Sequence, residues 1–189
     1  LFALALCLGR VHAQGVVHAD LKPEHVLPVR EDDRLSVRLI DFDSGFLETD
    51  PPREAREIDV EPVYLAPEAY LQITGQPQPL SRNVDTFAFG AIAHRLLTGA
   101  LPDTGQSAYL YEAALTGQPI GISDAVPPPY RELIAATFSV NPDKRPTDGE
   151  LERLFAPEPY TSASAVPAVN GLSCFWQTGE PERNTVEPI

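Results

Sequence analysis

Two short stretches hold side chains whose types and spacing could do chemistry. They are His18-Ala19-Asp20-Leu21-Lys22-Pro23-Glu24-His25 and, further along, Ile40-Asp41-Phe42-Asp43. Moving a phosphoryl group needs three things: a carboxylate to orient the attacking hydroxyl and take its proton, a cation for the phosphate, and further ligands for divalent metal ions. Asp20, Lys22 and Asp41 are groups of those kinds, Asp43 adds a carboxylate and His25 a nitrogen donor. A lone Asp or Lys is ordinarily a solvated surface charge, so what counts is their joint occurrence between apolar runs. The chain has only two lysines, Lys22 and Lys144, against twelve arginines, which makes a lysine in this loop more informative than usual.

Positioning these groups falls to the surrounding elements. Residues 1–14 are apolar on all sides and stop at Gly15, the pattern of a helix buried in a lobe interior. Val26-Leu27-Pro28-Val29 and Ser36-Val37-Arg38-Leu39-Ile40 are short β-type runs about a polar turn, Glu31-Asp32-Asp33. Residues 41–68 are polar, contain proline and lack periodicity, which predicts irregular structure rather than helix or strand. Residues 84–98 read as a strongly apolar helix stopped by Gly99. Ser107–Leu115 and Pro129–Phe138 read as amphipathic helices. Thr147 followed by Glu150 has capping-box spacing and predicts a last helix over Asp148–Phe155. Residues 156–189, with five prolines and several Ser and Thr, read as a linker or disordered tail in which Cys174-Phe175-Trp176 is an isolated apolar patch.

At 189 residues and 43% apolar content, one core and one domain plus a tail are expected. The net charge of -13 argues against nucleic acid and anionic membranes as partners. Much of it lies in residues 31–68, with twelve acids against four arginines. Such a stretch is a solvated loop, or an acidic rim favouring basic substrates. The opening apolar run lacks a charged leader and falls short of the roughly 20 residues of a membrane span. Two cysteines, Cys7 and Cys174, make no disulfide framework, so a reducing cytoplasm is expected. The chain has no Met and opens directly on a helical pattern, so it is expected to be part of a longer reading frame.

The first stretch matches H-x-D-L-x-x-x-N and the second D-F-G, and Ala66-Pro67-Glu68 matches the A-P-E that closes an activation segment. With the Arg145 region these motifs make residues 1–155 resemble the carboxyl-terminal lobe of a eukaryotic-like Ser/Thr protein kinase, of a divergent bacterial type with D-F-D for D-F-G. The resemblance implies a mainly α fold, a helical bundle with a small β-hairpin bearing the catalytic and metal loops. It implies Asp20 as the catalytic carboxylate, Lys22 as the cation on the γ-phosphate and Asp41 as a metal ligand. ATP and Mg²⁺ (or Mn²⁺) are the implied cofactors and a protein hydroxyl the substrate. His18 is then a bracing residue, Asp85 bonds back to the catalytic-loop backbone, and Arg145 pairs with Glu68. The Gly-rich loop and ATP-anchoring Lys of the amino-terminal lobe are expected upstream of Leu1.

Four departures stand against that pattern. His25 occupies the place of the second metal-binding residue, Asn; Asp43 replaces the Gly of D-F-G. Ala19 replaces the Arg that reads a phosphorylated loop, and Glu61 stands where Ser/Thr kinases carry Thr. They support an alternative, a pseudokinase that keeps the fold as a scaffold, although Asp20, Lys22 and Asp41 are intact. If His25 approaches a metal, its nitrogen favours Mn²⁺ over Mg²⁺. In an extended backbone Asp43 would share a side with Asp41 and add a second carboxylate. A third reading is a small-molecule phosphotransferase of the aminoglycoside type, whose H-G-D loop looks similar but which lacks the features at Glu68 and Arg145.

Overall fold

The computed structural model describes residues 1–31, 34–53 and 61–157. Within them the apolar opening run forms α1 (Phe2–Ala13), which buries Leu4, Ala5, Cys7, Leu8 and Val11 and ends before Gly15, whose φ of +72° only glycine adopts cheaply. The most enclosed helix of the core is α3 (Asn83–Thr98), where every position from Val84 to His94 is buried. A helix hydrophobic all round must be enclosed on all sides, and this one is as far as His94, with Arg95 and Leu96 of its last turn exposed. At Gly90 it meets α5 (Pro128–Thr137) so closely that a Cβ would lie 1.8 Å from Thr137 Oγ1. Gly99, in the left-handed region, ends it.

Around these helices pack α2 (Pro67–Ile73), which opens on a proline, α4 (Leu110–Thr116) and α6 (Asp148–Phe155). The carboxylate of Glu150 accepts the Thr147 backbone N–H at 2.8 Å, so the predicted capping box forms at the start of α6. Helix α4 begins three residues after the predicted Ser107, because Tyr109 is still extended.

Strand content is small and comes in two antiparallel pairs. Strands β2 (Val26–Glu31) and β3 (Arg34–Leu39) form the expected hairpin, in register from Val26 opposite Leu39 to Glu31 opposite Arg34. The second pair was not anticipated: β1 (Val16–Val17) pairs with β4 (Phe46–Leu47), inside the segment expected to hold no strand. Two-residue strands carry no readable alternation, and burial of Val16 and Val17 fixes this pairing instead. The fold is thus mainly helical with two small antiparallel β elements. Among the described residues no helix is long and apolar enough to cross a membrane. The turn at Asp32-Asp33 and the tail from 158 on, with Cys174-Phe175-Trp176, lie outside the described residues.

Candidate active site

Strand β1 delivers the chain into the loop at His18–His25, and hairpin β2–β3 returns it to Asp41. The ring of His18 is fully buried; its Nε2 lies 3.0 Å from the Ile40 carbonyl oxygen and the ring packs 4.4 Å from Phe42. Burial lowers the His18 pKa, so the ring is neutral, with Nε2 donating. It therefore braces one loop against the other, and its Nδ1, left unprotonated and buried, meets no hydrogen-bond partner among the described residues.

Asp85, at the start of α3, holds the loop from behind. Its Oδ2 accepts the His18 N–H and its Oδ1 the Ala19 N–H, both at 2.8 Å. Among the described residues Ala19 and Asp41 are the two non-glycine residues with positive φ, +65° and +62°. The left-handed region costs an L-residue roughly 1–2 kcal/mol, so the Asp85 bond helps keep Ala19 there, next to Asp20.

Asp20 and Lys22 face each other, Oδ2 to Nζ 2.9 Å, each only partly exposed. The Asp20 hydrogen bond raises the lysine's pKa above its ordinary value, so Lys22 is a cation throughout the neutral range. The backbone N–H of Glu61 reaches Asp20 Oδ1 at 3.3 Å. The segment closing on Glu68 thus touches Asp20 through its backbone at the position where a Thr side chain was missing.

His25 lies between the two acids. Its Nδ1 is 2.9 Å from the Asp20 carbonyl oxygen and its Nε2 3.2 Å from Asp41 Oδ2. The carbonyl only accepts, so Nδ1 donates, and Nε2 is the nitrogen turned towards Asp41. The side chain of Asp41 is 49% exposed. An open carboxylate of this kind suits a hard cation completed by phosphate oxygens and water. The spacing of Oδ2 and Nε2 is that of two adjacent ligands of one ion, each bonding at about 2.1 Å. The residues present therefore fit a divalent ion, provided other oxygens complete it, since no group of three or more His, Cys, Asp or Glu among the described residues is arranged to hold one. Asp43 is exposed in a turn closed by Gly45 N–H to the Phe42 carbonyl, 2.8 Å. With Asp41 left-handed and Asp43 in a turn, the extended backbone expected to align their carboxylates is not present.

Further back, Arg145 donates to both oxygens of Glu68, at 2.6 and 2.7 Å, and its guanidinium lies 5.1 Å over the Phe87 ring. This joins the end of the 41–68 segment to the turn before α6. Sequence reasoning missed His12, whose two nitrogens meet Asp85 and Asp148. Its one signal was a polar residue that, with Arg10, interrupts an otherwise apolar helix.

The sequence model of the protein kinase domain family matches residues 3–156 of the chain. The chain is 34% identical over 152 residues to the serine/threonine-protein kinase PkaA of Streptomyces coelicolor, covering 79% of this chain and 27% of that protein. It is 33% identical to a serine/threonine/tyrosine-protein kinase of Arabidopsis thaliana, covering 76% of this chain and 36% of the relative. It is also 33% identical to the type II calcium/calmodulin-dependent protein kinase of Caenorhabditis briggsae, with 87% and 31% covered. The chain thus spans about a quarter to a third of the length of these curated relatives.

Proposed function

The chain belongs to the protein kinase domain family, and we propose that it forms the carboxyl-terminal lobe of a Ser/Thr protein kinase of divergent bacterial type, which transfers the γ-phosphate of ATP to a protein hydroxyl. Residues 1–155 are assigned to the catalytic domain, 156–189 to a linker or tail, and the protein to the cytoplasm. The observation that carries this reading is the Asp20–Lys22 pair, 2.9 Å apart, with Asp41 turned to the same loop across His25.

In this reading Asp20 Oδ2 receives the hydrogen bond of the substrate hydroxyl and takes its proton as the oxygen attacks. Glu61 N–H and the left-handed Ala19 set the direction of that carboxylate. Lys22, held cationic beside Asp20, turns its ammonium to the phosphate and offsets the negative charge there. Asp41, with His25 beside it, would hold a divalent ion, Mg²⁺ or Mn²⁺, which when bound neutralises charge on the nucleotide phosphates. An acidic 31–68 stretch suits a basic protein substrate.

A second reading, a catalytically impaired scaffold, is favoured by the same 3.2 Å contact, because a His25 that stays on Asp41 competes with the ion for its oxygen. The test that separates the readings is mass spectrometry of a basic protein incubated with the full-length protein and ATP. Phosphate on Ser or Thr supports the kinase. Phosphate on tyrosine alone, or on an aminoglycoside and no protein, assigns another substrate class. An unmodified protein supports the scaffold.

A further inference from the structure

Charged side chains from four distant stretches meet behind the loop that carries Asp20. His12 on α1 is 1% exposed, with Nδ1 2.8 Å from Asp148 Oδ1 and Nε2 2.9 Å from Asp85 Oδ2. Carboxylate oxygens only accept, so a ring set between two of them donates from both nitrogens and carries a positive charge. The same Asp85 carboxylate holds the N–H groups of His18 and Ala19. Asp148, the first residue of α6, turns its Oδ2 to Arg82 Nη1 at 3.7 Å. Arg82 in turn clasps Glu48 with Nε at 3.0 Å from both oxygens and with Nη2, while its own backbone N–H donates to Glu48 at 3.1 Å. Glu48 directly follows β4, whose partner β1 leads into the loop.

An ion cluster this deep is costly to desolvate, and apolar side chains would fill the volume at least as well. What it supplies is direction. Asp85 is 1% exposed and its two oxygens hold the two loop amides, with the His12 ring 2.9 Å from Oδ2 fixing the carboxylate from the other side. Burial works against the charge on that ring, yet the two carboxylates outweigh burial and raise the His12 pKa to about 9. From the loop amides the contacts run through Asp85 and His12 to Asp148, whose side chain is 19% exposed.

We infer that Asp148 is a positioning residue for phosphoryl transfer: through His12 and Asp85 it holds the left-handed turn at Ala19 that aims Asp20, and through Arg82 it ties that hold to Glu48 in the segment after Asp41. This rests on the kinase reading of Asp20 and identifies what sets that site from behind. The charged groups around His12 are Asp148 of α6, Asp85 of α3, and behind them Arg82 and Glu48. One turn away Glu152 faces Arg10. Strand β1 brings only Val16 and Val17, and Arg38 of β3 is exposed. Loss of the Asp148 charge is thus loss of one of two direct supports for the His12 proton.

The experiment compares full-length wild type with Asp148→Asn, which keeps the size and one acceptor but not the charge. We expect the wild-type to variant ratio of kcat to be about ten at about pH 8.5 and to fall below about two at about pH 6, with KM for ATP and for a basic protein substrate altered less than about twofold. A ratio that is the same at both pH values, or a loss carried by KM, overturns the role of Asp148. If the variant does not fold, ¹⁵N shifts of the His12 ring in the wild-type protein at about pH 7.5 decide. Both nitrogens protonated agrees with the inference, and a neutral ring overturns it. Wild-type activity no higher than that of Asp20→Asn contradicts the kinase reading itself and takes this inference with it.

Discussion

Arg145 meets Glu68 in two parallel hydrogen bonds, 2.6 and 2.7 Å long, with both side chains almost wholly shut off from solvent. A fork-to-fork pair of this kind is satisfied as long as both partners are present. Removing either leaves an uncompensated buried charge, which costs about 3–5 kcal/mol. Glu68→Ala and Arg145→Ala are each expected to lower the urea midpoint accordingly, and the double variant to lose less than the sum. Superimposable melting curves for wild type and both single variants would remove the pin from the account.

Gly90→Ala should also destabilise. Alanine is the better helix former by about 1 kcal/mol, so on propensity alone the sign would be the reverse. Its Cβ would lie 1.8 Å from Thr137 Oγ1 and 2.8 Å from Thr137 Cβ, and the α3–α5 contact would have to open. Overpacking of this sort costs about 1–3 kcal/mol. Gly90→Ala combined with Thr137→Ala should recover part of the loss in a thermal melt.

Stability should depend on pH through His12. Its pKa is raised from 6.5 to about 9 in the folded protein, so the stabilisation is fully present below about pH 6.5 and is lost as pH rises through about 9. A shift of that size corresponds to about 3 kcal/mol. Unfolding by urea across this window is expected to show the decline, and His12→Gln to flatten it. A wild-type midpoint constant from pH 6.5 to 9 would contradict the assignment of a charged ring.

Much of this architecture was legible in the chain, and the misses share a cause. The helix over 84–98 was readable from its unbroken apolar run and its Gly99 stop, and the box at Thr147 from two residues three apart, because both signals are local. The bonds from Asp85 and the Glu68–Arg145 pair were expected only through family resemblance; nothing near either residue announces them. The β1–β4 pair, the grip of Arg82 on Glu48 and the place of Asp148 against His12 join residues far apart along the chain and leave no periodic trace. At Asp43 the expectation failed because it assumed an extended backbone, and the left-handed Asp41 followed by a turn redirects the chain.

The nitrogen of His25 should be visible in metal preference. Its Nε2 faces Asp41 Oδ2 at 3.2 Å with Nδ1 committed to the Asp20 carbonyl. First-row ions accept imidazole more readily than Mg²⁺ does. The full-length protein is therefore expected to work faster with Mn²⁺ than with Mg²⁺, and His25→Asn to shift the preference towards Mg²⁺. Equal rates in both metals, unchanged by His25→Asn, would show that His25 takes no part in metal binding.

The central claim, that Asp20 directs phosphoryl transfer from ATP to a protein hydroxyl, is tested most directly by radiolabel transfer from γ-labelled ATP to a basic protein, comparing the full-length wild type with Asp20→Asn. The substitution keeps the side-chain shape but removes the proton acceptor, and the loss of a general base is worth about 100- to 10,000-fold. Wild-type incorporation that falls by at least the lower figure in Asp20→Asn is the predicted result. Equal incorporation by the two proteins, or none by either, would contradict it.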